Sequence, residues 1–296
     1  MNLDAIAAPH FDLAVTLDSG QTFHWEPHGA GFVGTIGRRA LYIEQRGGEL
    51  LVPRGAEEIV RHYFALDHPL DEICTRFPTD PAMAAARDYC RGLRIMRQPT
   101  WECLASFITS SMKQVAHIRQ MSRALRERFG EPLRVNATQV FAFPEAERLA
   151  HVSEPELRAC GLGYRAKNLL ATAQLVSSGA APLETWRNLS DDELRAQLCA
   201  LPGVGAKVAN CVMLFAYERL RAFPIDVWIE RVLKQQYFPR ARQLTAQRLR
   251  DFCDSYFGED GGYAQQYLFH HARKTTPRSR KKAPRRKRLA TGPTLR

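Results

Sequence analysis

Apolar and polar residues alternate between residues 20 and 53, and glycine-rich turns interrupt this stretch. Such period-two alternation predicts an antiparallel meander with one packed face and one solvated face. From about residue 56 onward, apolar residues recur at helical spacing, as at Trp101, Leu104, Phe107 and Ile108. The pattern therefore predicts an α+β fold, in which a small antiparallel sheet domain precedes a larger all-helical domain.

The helical part divides into segments that are separated by prolines, glycines and capping residues. The organisation predicted from this is a sheet domain with flanking helices over residues 1–95, a helical domain over 96–272 and a tail over 273–296. Helices are expected at 56–66, 80–93, 99–112, 115–130, 153–161 and 165–179, behind Ser190, from Ala206, over 227–237, from about 245, and at 263–273.

The net charge of +11 is located almost entirely in the tail. Arg273–Arg296 contains eleven Lys or Arg and no acidic residue, so residues 1–272 sum to zero. A segment of this composition cannot bury apolar surface and is expected to be disordered. It would act as a loose phosphate-binding arm or a localisation signal, and a merely solubilising tail is an equally good interpretation.

The seven cysteines are dispersed, with no CxxC pair and no short-spaced Cys/His set. This spacing argues against a zinc site or an iron–sulfur cluster and is typical of reduced intracellular thiols. A long apolar run and an amino-terminal signal peptide are also missing. We therefore expect an intracellular, soluble and monomeric protein that needs no metal or cofactor and does not enter a membrane.

The segment Leu201–Gly205 joins two predicted helices through a tight turn. Gly203 and Gly205 allow the backbone to turn sharply and leave amides uncovered by side chains. Free amides at a helix N-terminus favour an anion, so Gly203, Val204 and Gly205 are candidates for binding a DNA phosphate without reading the sequence. An ordinary helix–helix turn explains these five residues equally well.

Lys207 borders the buried face of the second hairpin helix, which carries Val208 and Cys211. This environment disfavours a charged amine, and a neutral amine is what nucleophilic attack requires. Asp226 follows Lys207 by nineteen residues, after a turn at Pro224, and would return a carboxylate beside that amine. A surface lysine and a helix-capping aspartate are the simpler alternatives.

These motifs, Gly203–Lys207 and Pro224–Val227, resemble the signature of the helix–hairpin–helix–Gly/Pro/Asp superfamily of DNA glycosylases. Within that superfamily the chain is most similar to the 8-oxoguanine DNA glycosylase family. The similarity covers nearly all of the chain before the tail. It is carried by Leu17–Phe23, Gln98–Leu104, Gly161–Arg165 and Tyr263–Gln265.

The resemblance implies a glycosylase with an associated strand-cleaving lyase activity, acting on damaged duplex DNA. The damaged base would be flipped out of the helix, and Lys207 would attack C1′ of its sugar. The base would leave, and the resulting Schiff base would permit β-elimination of the 3′ strand. Asp226 would stabilise the developing positive charge.

The resemblance also implies a pocket for 8-oxoguanine. Cys211 and Phe269 would enclose the purine, and Gln265 would hydrogen-bond its pairing edge. The Gly20 carbonyl would accept the N7 hydrogen that guanine lacks. Cys211 follows Lys207 by one turn, and Phe269 follows Gln265 by one turn. Buried core residues are the alternative for the cysteine and the phenylalanine.

The family match makes Tyr164 a wedge at the site of the missing base and Arg165 a contact to the orphaned cytosine. The chain departs from the family at Met112, because Ser110–Gln114 occupies the place of a family segment rich in asparagine, and at His117, where a well-known family member has an arginine. Methionine cannot hydrogen-bond a cytosine edge, so a weaker preference for cytosine is expected. Trp228 also replaces a family histidine.

Two other functions remain open from the sequence. An alkylpurine DNA glycosylase without lyase activity needs no nucleophilic lysine, and Lys207, Gln265 and Gly20 argue against it. A non-enzymatic helix–hairpin–helix protein would only bind DNA. The cysteine spacing disfavours an adenine-specific member of the superfamily that carries an iron–sulfur cluster.

Overall fold

A computed structural model describes residues 2–276 of the chain. Its amino-terminal part is an antiparallel five-stranded sheet. The strands are β1 (Leu3–Ala7), β2 (Glu26–His28), β3 (Gly31–Ile36), β4 (Arg39–Arg46) and β5 (Glu49–Pro53). Their spatial order is β1-β5-β4-β3-β2, with Val33 opposite Tyr42 and Glu44 opposite Leu51.

The helices are nearly continuous after the sheet. Their bounds are α1 (Leu13–Asp18), α2 (Glu57–Tyr63), α3 (Leu70–Thr75), α4 (Pro81–Tyr89), α5 (Thr100–Ser110), α6 (Val115–Phe129), α7 (Ala146–Ala150), α8 (Glu154–Leu157), α9 (Arg165–Ser177), α10 (Asp191–Cys199), α11 (Ala206–Phe215), α12 (Val227–Val232), α13 (Ala246–Phe257) and α14 (Gly261–Thr275). Arg158–Leu162 and Leu233–Tyr237 are wider π-helical turns that continue α8 and α12. A hairpin, β6 (Pro132–Val135) and β7 (Thr138–Phe141), separates α6 from α7.

The predicted α+β fold is confirmed, with the sheet first and the helical part after it. The meander is correct from β2 to β5, but residues 21–25 are not a strand. Gln21, Thr22, Phe23 and Trp25 are all buried, so this segment lies inside the protein instead of on one face of the sheet. Strand β1, the β6–β7 hairpin and the short helices α1, α3 and α7 were not predicted.

The core has two parts, which correspond to the two kinds of structure. A smaller apolar cluster lies between the sheet and helices α1 and α2, and a larger one fills the helical part. Helix α5 is central to the larger cluster, because every residue from Glu102 to Ser110 is buried. The site described below is built on this helix and its neighbours.

A buried polar cluster ties the sheet to the helical part. Arg126 of α6 donates to Thr35 Oγ1 of β3 at 2.9 Å and pairs with Glu102 of α5. Burial raises the pKa of Glu102, and the positive charge of Arg126 opposes that shift. A paired buried charge of this kind fixes the position of α5 against the sheet.

Helix α14 extends to Thr275, so Arg273, Lys274 and Thr275 are helical although the tail was predicted to begin at residue 273. The rest of the predicted tail lies outside the described residues. Within the described part of the chain, no helix is long and apolar enough to cross a membrane.

Candidate active site

The hairpin before α11 has the tight turn that its glycines predict. Gly203 has φ +82°, and a Cβ there would lie 2.8 Å from Asn168 Cβ, so a side chain would be both strained and blocked. Thr172 Oγ1 donates to the Pro202 carbonyl at 3.0 Å and holds the turn against α9. These contacts fix where α11 begins.

The open part of the hairpin is its last residue. Gly205 is the N-cap of α11, with φ −101°, no side-chain cap and open space around its Cβ position. Val204 is different, because its side chain is buried and its amide donates to the Leu201 carbonyl at 3.1 Å. Of the three hairpin residues predicted to bind phosphate, Gly205 and the first turn of α11 offer uncovered amides, whereas Val204 is packed inward.

Lys207 lies in the first turn of α11 and is half-buried. Its Nζ lies 5.1 Å from the ring centroid of Phe107, a distance at which the aromatic face attracts a cation. Phe107 is itself fixed by stacking on Phe215, at 5.4 Å and 18°, and by an edge contact with Phe23 at 5.9 Å. Phe107 is a site residue that the sequence showed only as part of an apolar helix face.

Asp226 caps α12 and is half-buried. Its Oδ1 accepts the amides of Trp228 at 3.0 Å and Ile229 at 2.9 Å. Burial raises the pKa of Asp226, while these amides and the positive charge of Lys207 oppose the shift. Within residues 2–276, Asp226 forms no direct ion pair with Lys207, although the charges are close enough to interact.

Cys211 lies next to both charged groups. It is buried, and burial raises the pKa of its thiol; the Lys207 amine opposes this shift and the Asp226 carboxylate adds to it. The structure therefore brings Lys207, Cys211 and Asp226 together, as the sequence predicted. The thiol remains protonated in this setting and presents a soft apolar surface.

Gln265 connects the last helix to the Asp226 loop. It is buried, and its Nε2 donates to the Pro224 carbonyl at 3.0 Å, two residues before Asp226. Its Oε1 is also buried and has no hydrogen-bond partner in the described part of the chain. A buried acceptor without a partner costs free energy, and a ligand with a donor can satisfy it.

Gly20 and Phe269 lie close together one turn further along this helix. A Cβ on Gly20, which has φ +90°, would lie 3.1 Å from Phe269 Cε1. Phe269 is half-buried, and the guanidinium of Arg273 lies 5.8 Å from its ring centroid. Helix α14 therefore presents Gln265 to the Asp226 loop and Phe269 to Gly20.

Four residues are expected to contact the DNA at the site of the flipped base and the strand opposite it: Met112, His117, Tyr164 and Arg165. The first three are exposed. Met112 is 85% exposed with φ +56°, Tyr164 is 58% exposed, and His117 is exposed on the first turn of α6. A bulky apolar side chain held out in water at a positive φ is unusual and indicates a contact surface.

Arg165 is buried, unlike Met112, Tyr164 and His117. It is only 4% exposed, and its guanidinium donates to the Ser111 carbonyl (Nε, 2.8 Å) and to the Leu162 carbonyl (3.2 Å). The Tyr164 ring stacks over it at 4.4 Å. The expected contact of Arg165 with an orphaned cytosine stays a prediction. In this structure Arg165 holds the Ser111–Met112 turn and supports Tyr164.

Within residues 2–276 there is no group of three or more His, Cys, Asp or Glu side chains able to hold a metal ion.

Comparison with family models defines the class of protein. The model described as "8-oxoguanine DNA glycosylase, N-terminal domain" matches residues 5–104. The model described as "HhH-GPD superfamily base excision DNA repair protein" matches residues 105–255. The fold and the site therefore define a base excision DNA repair protein of the helix–hairpin–helix superfamily.

Comparison with individual proteins narrows this class. The chain is 32% identical to N-glycosylase/DNA lyase OGG1 of Arabidopsis thaliana over 280 residues, which cover 87% of this chain and 76% of that protein. It is 27% identical to a probable N-glycosylase/DNA lyase of Methanothermobacter thermautotrophicus, covering 90% and 94%. The chain belongs to the 8-oxoguanine DNA glycosylase family of N-glycosylase/DNA lyases.

Solved structures agree with this assignment. The Clostridium acetobutylicum 8-oxoguanine glycosylase/lyase, in complex with duplex DNA containing cytosine opposite 8-oxoguanine, superposes with a TM-score of 0.85 at 28% identity. That match covers 92% of this chain and 98% of the other. A 3-methyladenine DNA glycosylase from Archaeoglobus fulgidus, at 19% identity and a TM-score of 0.77, shares the fold.

The hairpin geometry predicts that replacing its two glycines by alanine lowers the free energy of unfolding by different amounts. Gly203→Ala should lower the free energy of unfolding by about 1–3 kcal/mol, because it combines backbone strain with a clash against Asn168. Gly205→Ala should lower it by less than about 1 kcal/mol, because the site is open and φ is ordinary, so that only the N-cap preference for glycine over alanine is lost. Urea denaturation of both variants measures this difference, and equal losses would contradict the geometry described for the turn.

Proposed function

We propose that this protein excises 8-oxoguanine from duplex DNA and cleaves the strand at the resulting abasic site. One observation carries the proposal: the Lys207 amine lies over the Phe107 ring and beside the half-buried Asp226 carboxylate, without a direct ion pair between them. An amine that is not locked to a carboxylate can approach a sugar carbon. A nearby carboxylate can then stabilise the cation that forms there.

The chemistry begins with the unprotonated Lys207 amine. Its lone pair forms a bond to C1′ while the N-glycosidic bond breaks. The base leaves with the electron pair of the broken bond and takes up a proton, and the Lys207 nitrogen gives up a proton. Opening of the sugar ring gives a Schiff base between Lys207 and C1′. Loss of a C2′ proton then expels the 3′ phosphate, which is the β-elimination that nicks the strand.

Asp226 is suited to support this reaction. Its Oδ1 is held by the two amides at the start of α12, so the carboxylate direction is fixed before substrate arrives. A fixed charge of this kind needs no reorganisation when positive charge develops at C1′. The same carboxylate is the group to which protons can be passed during ring opening.

The base pocket is proposed from four residues. Gln265 Oε1 is a buried acceptor without a partner, and the pairing edge of an oxidised guanine carries donors that satisfy it. Cys211 and Phe269 supply apolar surfaces for the purine faces. The Gly20 carbonyl accepts the N7 hydrogen of 8-oxoguanine, whereas N7 of guanine is an acceptor and would be repelled.

The DNA itself is held by backbone and wedge contacts. Of the predicted hairpin residues Gly203, Val204 and Gly205, it is Gly205 and the first turn of α11 that offer amides to a phosphate, because the Val204 amide already donates to the Leu201 carbonyl. Met112 and Tyr164 enter the space left by the flipped base, and His117 lies beside the opposite strand.

The protein is proposed to act as a monomer inside the cell, on damaged duplex DNA. The sheet over residues 1–95 and the helical part over 96–272 are proposed as its two domains. No metal or cofactor enters the proposed steps.

Two substitutions test the assigned chemistry. Lys207→Gln should lower single-turnover excision of 8-oxoguanine by at least roughly a thousandfold, because the nucleophile is removed. Asp226→Asn should lower it by roughly 10²–10³-fold, because the developing cation loses its counter-charge. The affinity for DNA should be largely retained in both. Lys234→Gln serves as the control. It also removes a lysine charge, but that lysine pairs with Glu230 and does not touch this site. Full activity in either site variant would contradict the assignment.

A second prediction concerns the base opposite the lesion. Met112 cannot form a hydrogen bond with a base edge, and the Arg165 guanidinium already donates to the Ser111 and Leu162 carbonyls. Few donors therefore remain for hydrogen bonds to the opposite cytosine. Each good pair of such hydrogen bonds contributes about 1–3 kcal/mol of discrimination. Excision rates of 8-oxoguanine opposite C, A, G and T should therefore differ by less than roughly a hundredfold. A preference for cytosine above roughly a hundredfold would contradict the expectation of weak opposite-base selectivity.

A further inference from the structure

The loop that carries Gly20 is fixed on one side by α14. Gln266 Nε2 donates to the Ser19 carbonyl at 2.9 Å, and both residues are buried. Two turns further along the helix, the guanidinium of Arg273 donates to the Asp18 carbonyl. The two carbonyls before Gly20 are therefore both used by side chains of the same helix that carries Phe269.

The loop is fixed on its other side by the segment before α5. Gln98 Nε2 donates to the Gln21 carbonyl at 2.8 Å. The Gln21 side chain donates to the Arg94 carbonyl at 2.8 Å and accepts the Met96 amide at 2.9 Å. It also donates to Ser19 Oγ at 2.9 Å, so the two sides of the loop are joined.

Gly20 lies between these two sets of hydrogen bonds. Unlike the carbonyls of Asp18, Ser19 and Gln21, its own carbonyl is not used by them. Among the hydrogen bonds formed within residues 2–276, none uses the Gly20 carbonyl as acceptor. The left-handed φ of +90° turns the peptide here, and the Phe269 ring edge lies 3.1 Å from the position that a Cβ on Gly20 would take. The surrounding polar groups thus fix the loop and leave one acceptor free beside the aromatic ring.

We propose that Gln266 and Arg273 are positioning residues that set the discrimination between 8-oxoguanine and guanine, by fixing the direction of the Gly20 carbonyl. This inference rests on the proposed function, in which that carbonyl accepts the N7 hydrogen of the lesion. The two purines differ at N7 by one hydrogen and one lone pair. A hydrogen bond weakens steeply with angle, so a carbonyl that is free to rotate would distinguish them poorly.

Gln266 is the sharper of the two probes. Its other contacts are packing contacts inside the protein, and Gln266→Met keeps the length of the side chain while removing the donor. Arg273→Met is the second probe, because it removes the hydrogen bond from the half-buried Arg273 guanidinium to the Asp18 carbonyl. Thr275→Val is the matched control: it removes an exposed hydroxyl that bonds the His271 carbonyl on the same helix, without touching the loop.

The experiment measures binding of the full chain to three duplexes. They contain 8-oxoguanine, guanine, or an 8-oxoguanine analogue with C7–H in place of N7–H, each on a 2′-fluorinated sugar that blocks excision. The ratio of two Kd values from one protein sample cancels any inactive fraction, so partial unfolding of a variant does not affect the readout. Thermal unfolding of each variant is followed in parallel.

Wild-type protein and Thr275→Val should bind the 8-oxoguanine duplex more tightly than the C7–H analogue. Gln266→Met and Arg273→Met should reduce that preference by roughly five- to tenfold, which is the effect of losing one well-directed hydrogen bond. If the preference is unchanged in both variants, the positioning role is overturned while the proposed function stands. If wild-type protein binds 8-oxoguanine no better than guanine, the proposed function itself fails and this inference fails with it.

Discussion

The distance between the Lys207 amine and the Asp226 carboxylate is the constraint on which the rest of the site depends. In the proposed reaction the two groups must interact, because a cation would form between them, yet a direct ion pair would make the amine a poor nucleophile. The structure meets both conditions. The Phe107 ring lies under the amine at 5.1 Å, and the amides of α12 occupy Oδ1 of the carboxylate. The turn at Gly203 fixes the start of α11, and so fixes where the amine lies.

The site divides into buried groups that are fixed and exposed groups that are free to meet DNA. Gln265, Gln266 and Arg165 are buried and bonded to backbone carbonyls, so they set the shape of the surrounding loops. Met112 and Tyr164 are exposed and supported from behind. In the proposed complex, this division would place rigid elements around the base and leave apolar side chains to replace it in the duplex.

The sequence predicted those parts of the structure that follow from local pattern. Helices with clear periodicity, the glycine hairpin, and the grouping of Lys207, Cys211 and Asp226 were all found, because spacing along the chain determines them. The alternation also predicts a strand at residues 21–25, which the structure lacks, because a short segment buried on all sides has a pattern similar to that of a strand. The sequence did not predict the contacts of Phe107, Arg165 and Gln266 with the Lys207 amine, the Ser111 carbonyl and the Ser19 carbonyl. These partners are distant along the chain, and every residue has a backbone carbonyl, so no residue type indicates which carbonyl is used.

Trapping with borohydride tests the central claim most directly, because only a Schiff base is reduced to a stable protein–DNA adduct. The account predicts one adduct on a duplex with a single 8-oxoguanine, with the cross-link mapped by peptide mass to Lys207, and none on an undamaged duplex. Absence of an adduct during active excision, or a cross-link at a different residue, would contradict the assignment of Lys207 as the nucleophile.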